Sequence, residues 1–197
     1  MATLGIVTLA YLIGSVSFAV IVSRIFALPD PRSYGSGNPG ATNVMRSGRR
    51  MAAALTLAGD LLKGVLAVWI AKRFGPPIGA NETAVPLAGF AVFLGHLYPV
   101  FFSFHGGKGV ATAAGVLFSL SFPVGLSALV AWAAAFGVTR VSALGALAAS
   151  LAAPAAAWYF LGWGHSLAVI AAMTLLLVWR HRANVRRLLA GAEEEIV

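Results

Sequence analysis

The chain has 197 residues, of which 59% are hydrophobic and 10% are charged, whereas about a quarter of an ordinary soluble domain is charged. This composition argues against a water-soluble fold, and the absence of cysteine excludes disulfides, thiolate nucleophiles and cysteine-based metal sites. The net charge of +8 does not indicate nucleic-acid binding, because the basic residues lie in short segments between apolar runs.

Long apolar runs with short polar breaks predict an all-α bundle of seven transmembrane helices, forming a single domain over residues 1–197 with a solvated tail at 190–197. In chain order, the predicted spans are residues 4–26, 51–70, 85–102, 110–120, 123–138, 142–161 and 163–179. The fourth and fifth are shorter than the roughly 20 residues of a full crossing, so they are expected to be tilted, partly buried or divided differently. The first span has no basic residue before Arg24, so it is expected to be retained rather than cleaved as a signal peptide.

Basic residues predict the orientation of these spans. If the N-terminus is outside, two basic residues are outside, Lys72 and Arg73. Ten are inside, namely Arg32, Arg46, Arg49, Arg50, Lys108, Arg140, Arg180, Arg182, Arg186 and Arg187. The positive-inside rule then places the C-terminus and every polar cluster described below at the cytoplasmic face.

A glycine-rich segment on the first inner loop, residues 35–43 (GSGNPGATN), is called the first glycine loop. Its backbone amides could form a nest for phosphate oxygens. Side-chain donors would come from Ser36, Thr42 and Asn43, and Arg46 could add a bidentate charge. The alternative is a plain turn, and the segment has neither the P-loop nor the dinucleotide-binding pattern.

The second glycine loop, residues 105–109 (HGGKG), stands where the third span ends and the fourth begins. Amides at a helix start, together with Lys108, would attract an anion. The alternative is a tight interfacial turn with a snorkelling lysine, but three glycines around one lysine favour the binding site.

The basic segment, residues 180–187 (RHRANVRR), follows the last span and could simply contact anionic lipid headgroups. The spacing of its polar residues favours a role in a binding site. Arg180, Asn184 and Arg187 follow i, i+4, i+7, and His181 stands three residues before Asn184, so one helix face would carry these groups.

Charged residues also occur within the predicted spans. Asp60 and Lys63 lie three residues apart, and because such charges are costly in a span, they are expected to point inward and be partnered. They could form a structural pair, an ion relay of a transporter, or support for a substrate site. His96 near the end of the third span, and Arg140 and Ser142 on the third inner loop, are further candidates.

GSGNPGATN, HGGKGVAT and RHRANVRR occur in this order and spacing, and with GHLYPVF and DLLKG they resemble the acyl-phosphate-dependent glycerol-3-phosphate acyltransferases of bacterial inner membranes, the PlsY type. The resemblance covers essentially the whole chain. It implies transfer of a fatty acyl group from acyl phosphate to the 1-hydroxyl of glycerol 3-phosphate, giving lysophosphatidic acid and phosphate at the cytoplasmic face of the inner membrane. It also implies a soluble partner, the enzyme that makes acyl phosphate, and neither a cofactor nor a metal.

The resemblance and the residue chemistry together give the candidate site. Catalytic candidates are Ser36, Lys108, His181 and Asn184. Candidate substrate-binding residues are Gly37, Asn38, Gly40, Thr42, Asn43, Arg46, Asp60, Lys63, His96, His105, Gly106, Gly107, Gly109, Thr112, Arg140, Ser142 and Arg187.

The sequence leaves three alternatives for how the acyl group is transferred and the hydroxyl proton removed. No histidine is followed five residues later by aspartate, so the acyl-CoA acyltransferase dyad is absent. A substrate phosphate oxygen, His181 as base, and Ser36 as acyl nucleophile are the three alternatives. The rival to an acyltransferase is a secondary transporter of a phosphorylated or anionic solute, which would use Asp60 and Lys63 at mid-membrane. A purely structural membrane protein is the third possibility.

Overall fold

The computed structural model describes residues 1–193, and these contain helices and no strand. The α-helices are α1 Ala2–Gly14, α2 Phe18–Ile25, α3 Ala41–Met45, α4 Arg50–Phe74, α5 Ala84–Leu97, α6 Val110–Leu120, α7 Phe122–Thr139, α8 Ser142–Leu161, α9 His165–Arg180 and α10 Arg182–Leu189. Short 3-10 turns occupy Pro76–Ile78 and Val100–Phe102. The all-helical class predicted from the sequence is therefore confirmed.

The chain divides into two compact units, one from Met1 to Val116 and one from Leu117 onward. In the first unit, α4 packs with α1, α2, α3 and α5, and α1 also packs along α5. The predicted first span is broken, because α1 ends at Gly14 and α2 begins at Phe18. The carbonyl of Val16, inside this break, accepts a hydrogen bond from Lys63 Nζ at 2.8 Å.

Glycines allow the helices of the first unit to approach closely. A Cβ at Gly14 of α1 would lie 2.1 Å from the carbonyl oxygen of Val92 in α5, and one at Gly115 of α6 would lie 2.1 Å from that of Leu61 in α4. Small residues at such crossings bring backbones together where no water is available to drive packing. These crossings hold α5 against α1 and α6 against α4, and the second glycine loop connects α5 to α6.

The second unit is built from α7, α8, α9 and α10, with α8 packed on both α7 and α9. Its core consists of apolar side chains, namely Leu117, Val124, Ala128, Ala153, Ala157 and Ile170. Thr174 on α9 donates a hydrogen bond to the carbonyl of Ser150 on α8 at 2.8 Å, which satisfies a polar group between the helices.

Five helical segments among the described residues are long and apolar enough to cross a membrane, or six if a bent pair counts as one span. The five are Ala2–Ile25, Arg50–Phe74, Ala84–Phe102, Phe122–Thr139 and Ser142–Leu161. The bent pair is His165–Arg180 with Arg182–Leu189, and Val110–Leu120 is apolar but short. At 1.5 Å per residue, α6 is only about 16 Å long. The number of spans is thus several, and the count of seven remains a prediction.

Large apolar side chains are widely exposed, among them Trp69, Trp158, Tyr159 and Leu175, each more than half exposed. Soluble monomers rarely expose extensive apolar surface, whereas lipid covers such surface on a membrane bundle. The exposed surface therefore fits helices that face lipid.

Candidate functional site

The first glycine loop is held by the amide of Asn43, which is only 1% exposed. Its Nδ2 donates to the carbonyls of Pro31 at 2.7 Å and Tyr34 at 3.1 Å, and its Oδ1 accepts from the backbone amide of Ser36 at 3.0 Å. Gly35 has φ +57°, and a Cβ there would also lie 2.3 Å from Asn43 Oδ1. Both amide hydrogens of Asn43 are used within the protein, so this residue supports the loop instead of offering donors to a substrate.

Other members of the first glycine loop remain accessible. Ser36, Gly37, Thr42 and Arg46 are exposed, and Asn38 is half-buried. Gly40 is the residue before α3, and its amide donates to the carbonyl of Asn38 at 2.9 Å. The loop thus presents a hydroxyl-bearing, cation-flanked surface that a phosphate group could reach.

The segment before this loop contains an ion pair between Asp30 and Arg32, with Arg32 Nη2 2.7 Å from Asp30 Oδ2. The Arg32 side-chain hydrogen bonds hold the pKa of the Asp30 carboxyl below its usual value. Arg32 also lies over the Phe102 ring at 5.7 Å from its centroid. Arg32, counted at first only as a topology signal, therefore orders the chain that enters the loop.

The second glycine loop packs directly on the C-terminal end of α5. A Cβ at Gly107 would lie 2.2 Å from His96 Nε2, and one at Gly106 would lie 2.1 Å from the His96 carbonyl oxygen. Gly109 has φ +88° and faces the Phe93 ring, which a Cβ would approach to 2.3 Å. Each glycine is therefore required by close packing as well as by any anion that the loop binds.

The two glycine loops meet in the first unit. A Cβ at Gly107 would lie 3.1 Å from the Pro39 carbonyl oxygen, which belongs to the first glycine loop. Lys108 is half-buried beside this meeting point in the chain, and α6 begins two residues later. His105 is exposed and its Nδ1 lies 2.7 Å from the Ser103 carbonyl oxygen. The structure thus brings together two clusters that are about 70 residues apart in sequence, the spacing between Gly37 and Gly107.

The intramembrane charges form a buried group that we call the ionic triad, Asp60, Lys63 and His96. Lys63 Nζ lies 2.9 Å from Asp60 Oδ1, which is an ion pair without a well-aligned hydrogen bond, and His96 Nδ1 lies 3.4 Å from the same oxygen. Thr112 is completely buried, and its hydroxyl donates to the Asp60 carbonyl at 2.9 Å. The predicted inward pairing of Asp60 and Lys63 therefore forms, and Thr112 ties α6 to α4 instead of facing a substrate.

The basic segment of the second unit is not one continuous helix. The axis bends by 54° between α9 and α10, with His181 at the junction. The predicted common face of Arg180, Asn184 and Arg187 assumed a straight helix and is wrong, because Arg180 lies on α9 and the other two lie on α10. His181 and Asn184 are both buried, at 3% and 5% exposed.

His181 is held by its own helix. Its Nδ1 lies 2.8 Å from the Leu177 carbonyl oxygen, an acceptor, so Nδ1 carries the proton in the neutral ring. The lone pair of the neutral ring is then on Nε2, which is the atom that could accept a proton. In the connection between α7 and α8, Arg140 is exposed with φ +57° and Ser142 is half-buried at the start of α8.

Glu193 contacts two candidate site residues, and the sequence did not indicate this. Asn184 Nδ2 donates to its Oε1, and Arg187 Nε donates to its Oε2 at 2.6 Å, while the Glu193 side chain is only 8% exposed. Gly191, with φ +64°, turns the chain back after α10, and the amide of Ala192 donates to the Arg187 carbonyl at 2.8 Å. The signal was present as a glycine placed between a basic helix and an acidic run. Residues 194–197 of the predicted tail lie outside the described part of the chain.

Comparisons with known proteins agree on one family. The sequence model of a family described as glycerol-3-phosphate acyltransferase matches residues 4–191. The chain is 54% identical over 196 residues to the glycerol-3-phosphate acyltransferase of Paraburkholderia phymatum, covering 100% of this chain and 93% of that protein. It is 56% identical over 189 residues to the one from Janthinobacterium sp. (strain Marseille), covering 95% and 93%.

Solved structures give the same result. The chain is similar to PlsY, described as an integral membrane glycerol 3-phosphate acyltransferase, in its glycerol 3-phosphate form, with a TM-score of 0.92, 36% identity, and coverage of 100% of this chain and 96% of that chain. The lysophosphatidic acid form of PlsY matches with a TM-score of 0.89, the same identity and the same coverage. No support emerges for the transporter alternative. The chain therefore belongs to the glycerol-3-phosphate acyltransferase family, whose members in these comparisons include an integral membrane enzyme.

Proposed function

We propose that this enzyme transfers a fatty acyl group from acyl phosphate to the 1-hydroxyl of glycerol 3-phosphate, giving lysophosphatidic acid and phosphate. The observation that carries the proposal is the meeting of the two glycine loops in the first unit, where Gly107 approaches the Pro39 carbonyl. Both substrates carry phosphate, and backbone amides at a loop preceding a helix are suited to bind such anions.

The reaction needs charge stabilisation more than a protein nucleophile. The 1-hydroxyl oxygen attacks the acyl carbonyl carbon, the new ester bond forms, and the bond between the acyl carbon and the phosphate oxygen breaks. The departing phosphate carries the electron pair, and the Ser36 hydroxyl, Lys108 and glycine-loop amides would stabilise its charge. The amides of Ser36, Gly37, Gly40 and Gly107 are not among them, because they donate to acceptors within the protein. Arg46 would bind a phosphate through its guanidinium, and Arg140 and Arg187 are the corresponding cations of the second unit.

The hydroxyl proton goes to a phosphate oxygen of a substrate, whose second pKa is near 6 in phosphate monoesters. His181 is the competing base, and its Nδ1 contact with Leu177 supports a lone pair on Nε2. His181→Ala separates the two. If the rate falls only a few-fold and the acidic limb of the pH profile is unchanged, the substrate takes the proton, because a general base is lost as it becomes protonated at low pH. Near-total loss of rate, with the limb removed, would assign the proton to His181.

The acyl donor is tested directly. Purified protein is incubated with glycerol 3-phosphate and either acyl phosphate or acyl-CoA, and lysophosphatidic acid is measured. Product from acyl phosphate alone is expected. Product from acyl-CoA alone would contradict the donor, and no product from either would contradict the activity. On this proposal, acyl phosphate is supplied by a soluble enzyme that makes it.

We also propose seven spans in a bacterial inner membrane, with the N-terminus outside, the site cytoplasmic and the C-terminus inside. The ten-to-two distribution of basic residues supports this orientation. Because the chain has no cysteine, single cysteines report accessibility without background. Cells with a permeabilised outer membrane and an intact inner membrane are treated with a thiol reagent that cannot cross the inner membrane. Glu82→Cys should react in these cells, whereas Ser33→Cys should react only after lysis. The opposite pattern would reverse the topology.

A further inference from the structure

The ionic triad lies inside the helical core, where it offers little surface to a substrate. Asp60 and Lys63 are each 3% exposed and His96 is 7% exposed. Charged groups within a span are costly and usually mark a functional site. Because all three are buried, they are expected to act by holding other residues in place.

His96 is the member of the ionic triad that contacts the second glycine loop. Its backbone carbonyl accepts a hydrogen bond from the amide of Gly107 at 3.1 Å. Its ring lies so close to the loop that a Cβ at Gly107 would be 2.2 Å from Nε2. The imidazole therefore packs directly against the second glycine loop at Gly107.

Asp60 determines how that ring is oriented. His96 Nδ1 faces Oδ1 of the Asp60 carboxylate at 3.4 Å, without a well-aligned hydrogen bond to that oxygen, and Nε2 is turned toward Gly107. A hydrogen on Nδ1 is favoured at this position, because a carboxylate only accepts. A carboxylate behind a histidine commonly fixes both tautomer and ring orientation in this way. Lys63 balances the Asp60 charge at 2.9 Å.

The same residue also holds the other side of the loop. The Asp60 carbonyl accepts the Thr112 hydroxyl at 2.9 Å, and Thr112 lies in the first turn of α6, just after Gly109. Asp60 thus reaches the residues before the loop through its side chain and His96, and those after it through its backbone and Thr112. Glycine residues impose little conformation of their own, so their surroundings must supply it.

We propose that Asp60 is a positioning residue, which acts through His96 to hold residues 106–109 in the conformation that receives a substrate phosphate. This inference rests on the proposed function. It assigns Asp60, Lys63 and His96 to loop support, with the substrate phosphate contacting the loop and not the triad.

A matched pair of double variants tests the proposal. Asp60→Asn with Lys63→Met keeps a polar group facing His96, whereas Asp60→Leu with Lys63→Met removes it. Both double variants lose both charges and the Lys63 donor to Val16. Differences between the two therefore report the polar group at position 60 and not the lost charges. Thr56→Val is the control, since the buried Thr56 hydroxyl bonds only within α4, to the Ala52 carbonyl.

Kinetics with both substrates and thermal unfolding in detergent are measured for the wild type and the three variants. The variant with Leu at 60 should raise KM for one phosphorylated substrate on the order of 10- to 100-fold, the scale expected for a misplaced binding group. The KM for the other substrate should stay within about threefold, because the contacts of His96 described above are with the second glycine loop. The variant with Asn at 60 should raise the same KM less than the variant with Leu does, and Thr56→Val should stay within about threefold of wild type for both substrates.

Equal KM values for the two double variants, whether normal or raised, would overturn the positioning role. So would a parallel rise in both KM values. If the variant with Leu at 60 cannot be purified in folded form although the variant with Asn can, His96→Leu and His96→Gln are compared instead. Equal KM values for those two variants would then overturn the positioning role. A wild-type enzyme that makes no lysophosphatidic acid would instead contradict the proposed function.

Discussion

The two units hold their candidate site residues in different ways. In the first unit, the second glycine loop depends on backbone held against α5, with no room for a side chain at Gly106 or Gly107. In the second unit, Asn184 and Arg187 are side chains on one short helix, held by the carboxylate of Glu193. A packed backbone site fails when volume is added, whereas a side-chain site fails when charge or a hydrogen-bond partner is removed.

Adding one methyl group at Gly107 should have the largest effect. Gly107→Ala would place a carbon 2.2 Å from the His96 ring, so the loop must move. We expect activity to fall by about 100-fold, as for a binding group displaced by 1 Å. Gly5→Ala is the control, because a Cβ at Gly5 meets nothing within 4 Å. Lysophosphatidic acid formation is measured for both variants. Activity of Gly107→Ala within twofold of wild type would contradict the dependence of this loop on tightly packed backbone.

The first glycine loop should respond to a change of hydrogen-bond polarity. Asn43→Asp places an acceptor opposite the carbonyls of Pro31 and Tyr34, which then lose their donor. We expect the free energy of unfolding to fall by about 2 kcal/mol, the scale for buried groups left unsatisfied. Thermal unfolding in detergent checks it, with Asn38→Asp as a control at a half-buried position. Equal unfolding temperatures for the two variants would show that Asn43 does not hold the loop.

The second unit should respond to loss of charge with a smaller change. Glu193→Ala removes the partner of both Asn184 and Arg187, and we expect kcat/KM to fall about tenfold, the scale of a charged hydrogen bond. Glu194→Gln removes a charge one residue later and separates the specific contact from net charge. A rise in activity of Glu193→Ala would contradict support of the helix, and would mean that Glu193 competes with a substrate anion.

The smallest effect is expected at the entrance to the first glycine loop. The pKa of Asp30 is lowered by Arg32, so the ion pair stabilises the fold above the unfolded pKa of aspartate, near 4, and this is lost as pH falls through the lower folded pKa. The Asp30 side chain is 36% exposed, so the contribution at pH 7 should be only about 0.5 kcal/mol. Unfolding of Asp30→Asn and wild type, compared at pH 7 and pH 3, should differ more at pH 7 than at pH 3. A difference that is equally large at both pH values would exclude the ion pair as its cause.

Most helices could be predicted from the sequence, because apolar runs end at polar or glycine residues. The predicted fourth and sixth spans have the same ends as α6 and α8. The break at Val16 was missed, since Ser15 and Ser17 are compatible with a helix and the compensating donor, Lys63, comes from another helix. The bend at His181 was missed for a similar reason, because local spacing cannot show where a helix axis turns.

The residues of the candidate site were chosen from the sequence, and which of them bind substrate stays a prediction; the contacts that hold them could not be predicted. Glycine and lysine patterns located both glycine loops, because nests and turns have local signatures. The support by Asn43, His96 and Thr112 depends on contacts that join distant parts of the chain, which no single-sequence pattern reveals. Glu193 was passed over because acidic tails are ordinarily solvated.

The break in the first span has a consequence for biogenesis. A backbone carbonyl without a helical partner is unfavourable in lipid, and a lysine inside a span is unfavourable as well. Lys63 and the Val16 carbonyl satisfy each other at 2.8 Å, although they reach the membrane on successive hydrophobic segments. Neither segment is well suited to lipid alone. The first two spans should therefore enter the bilayer as a hairpin, with the α1–α2 segment retained beside the insertion machinery until α4 has been synthesised.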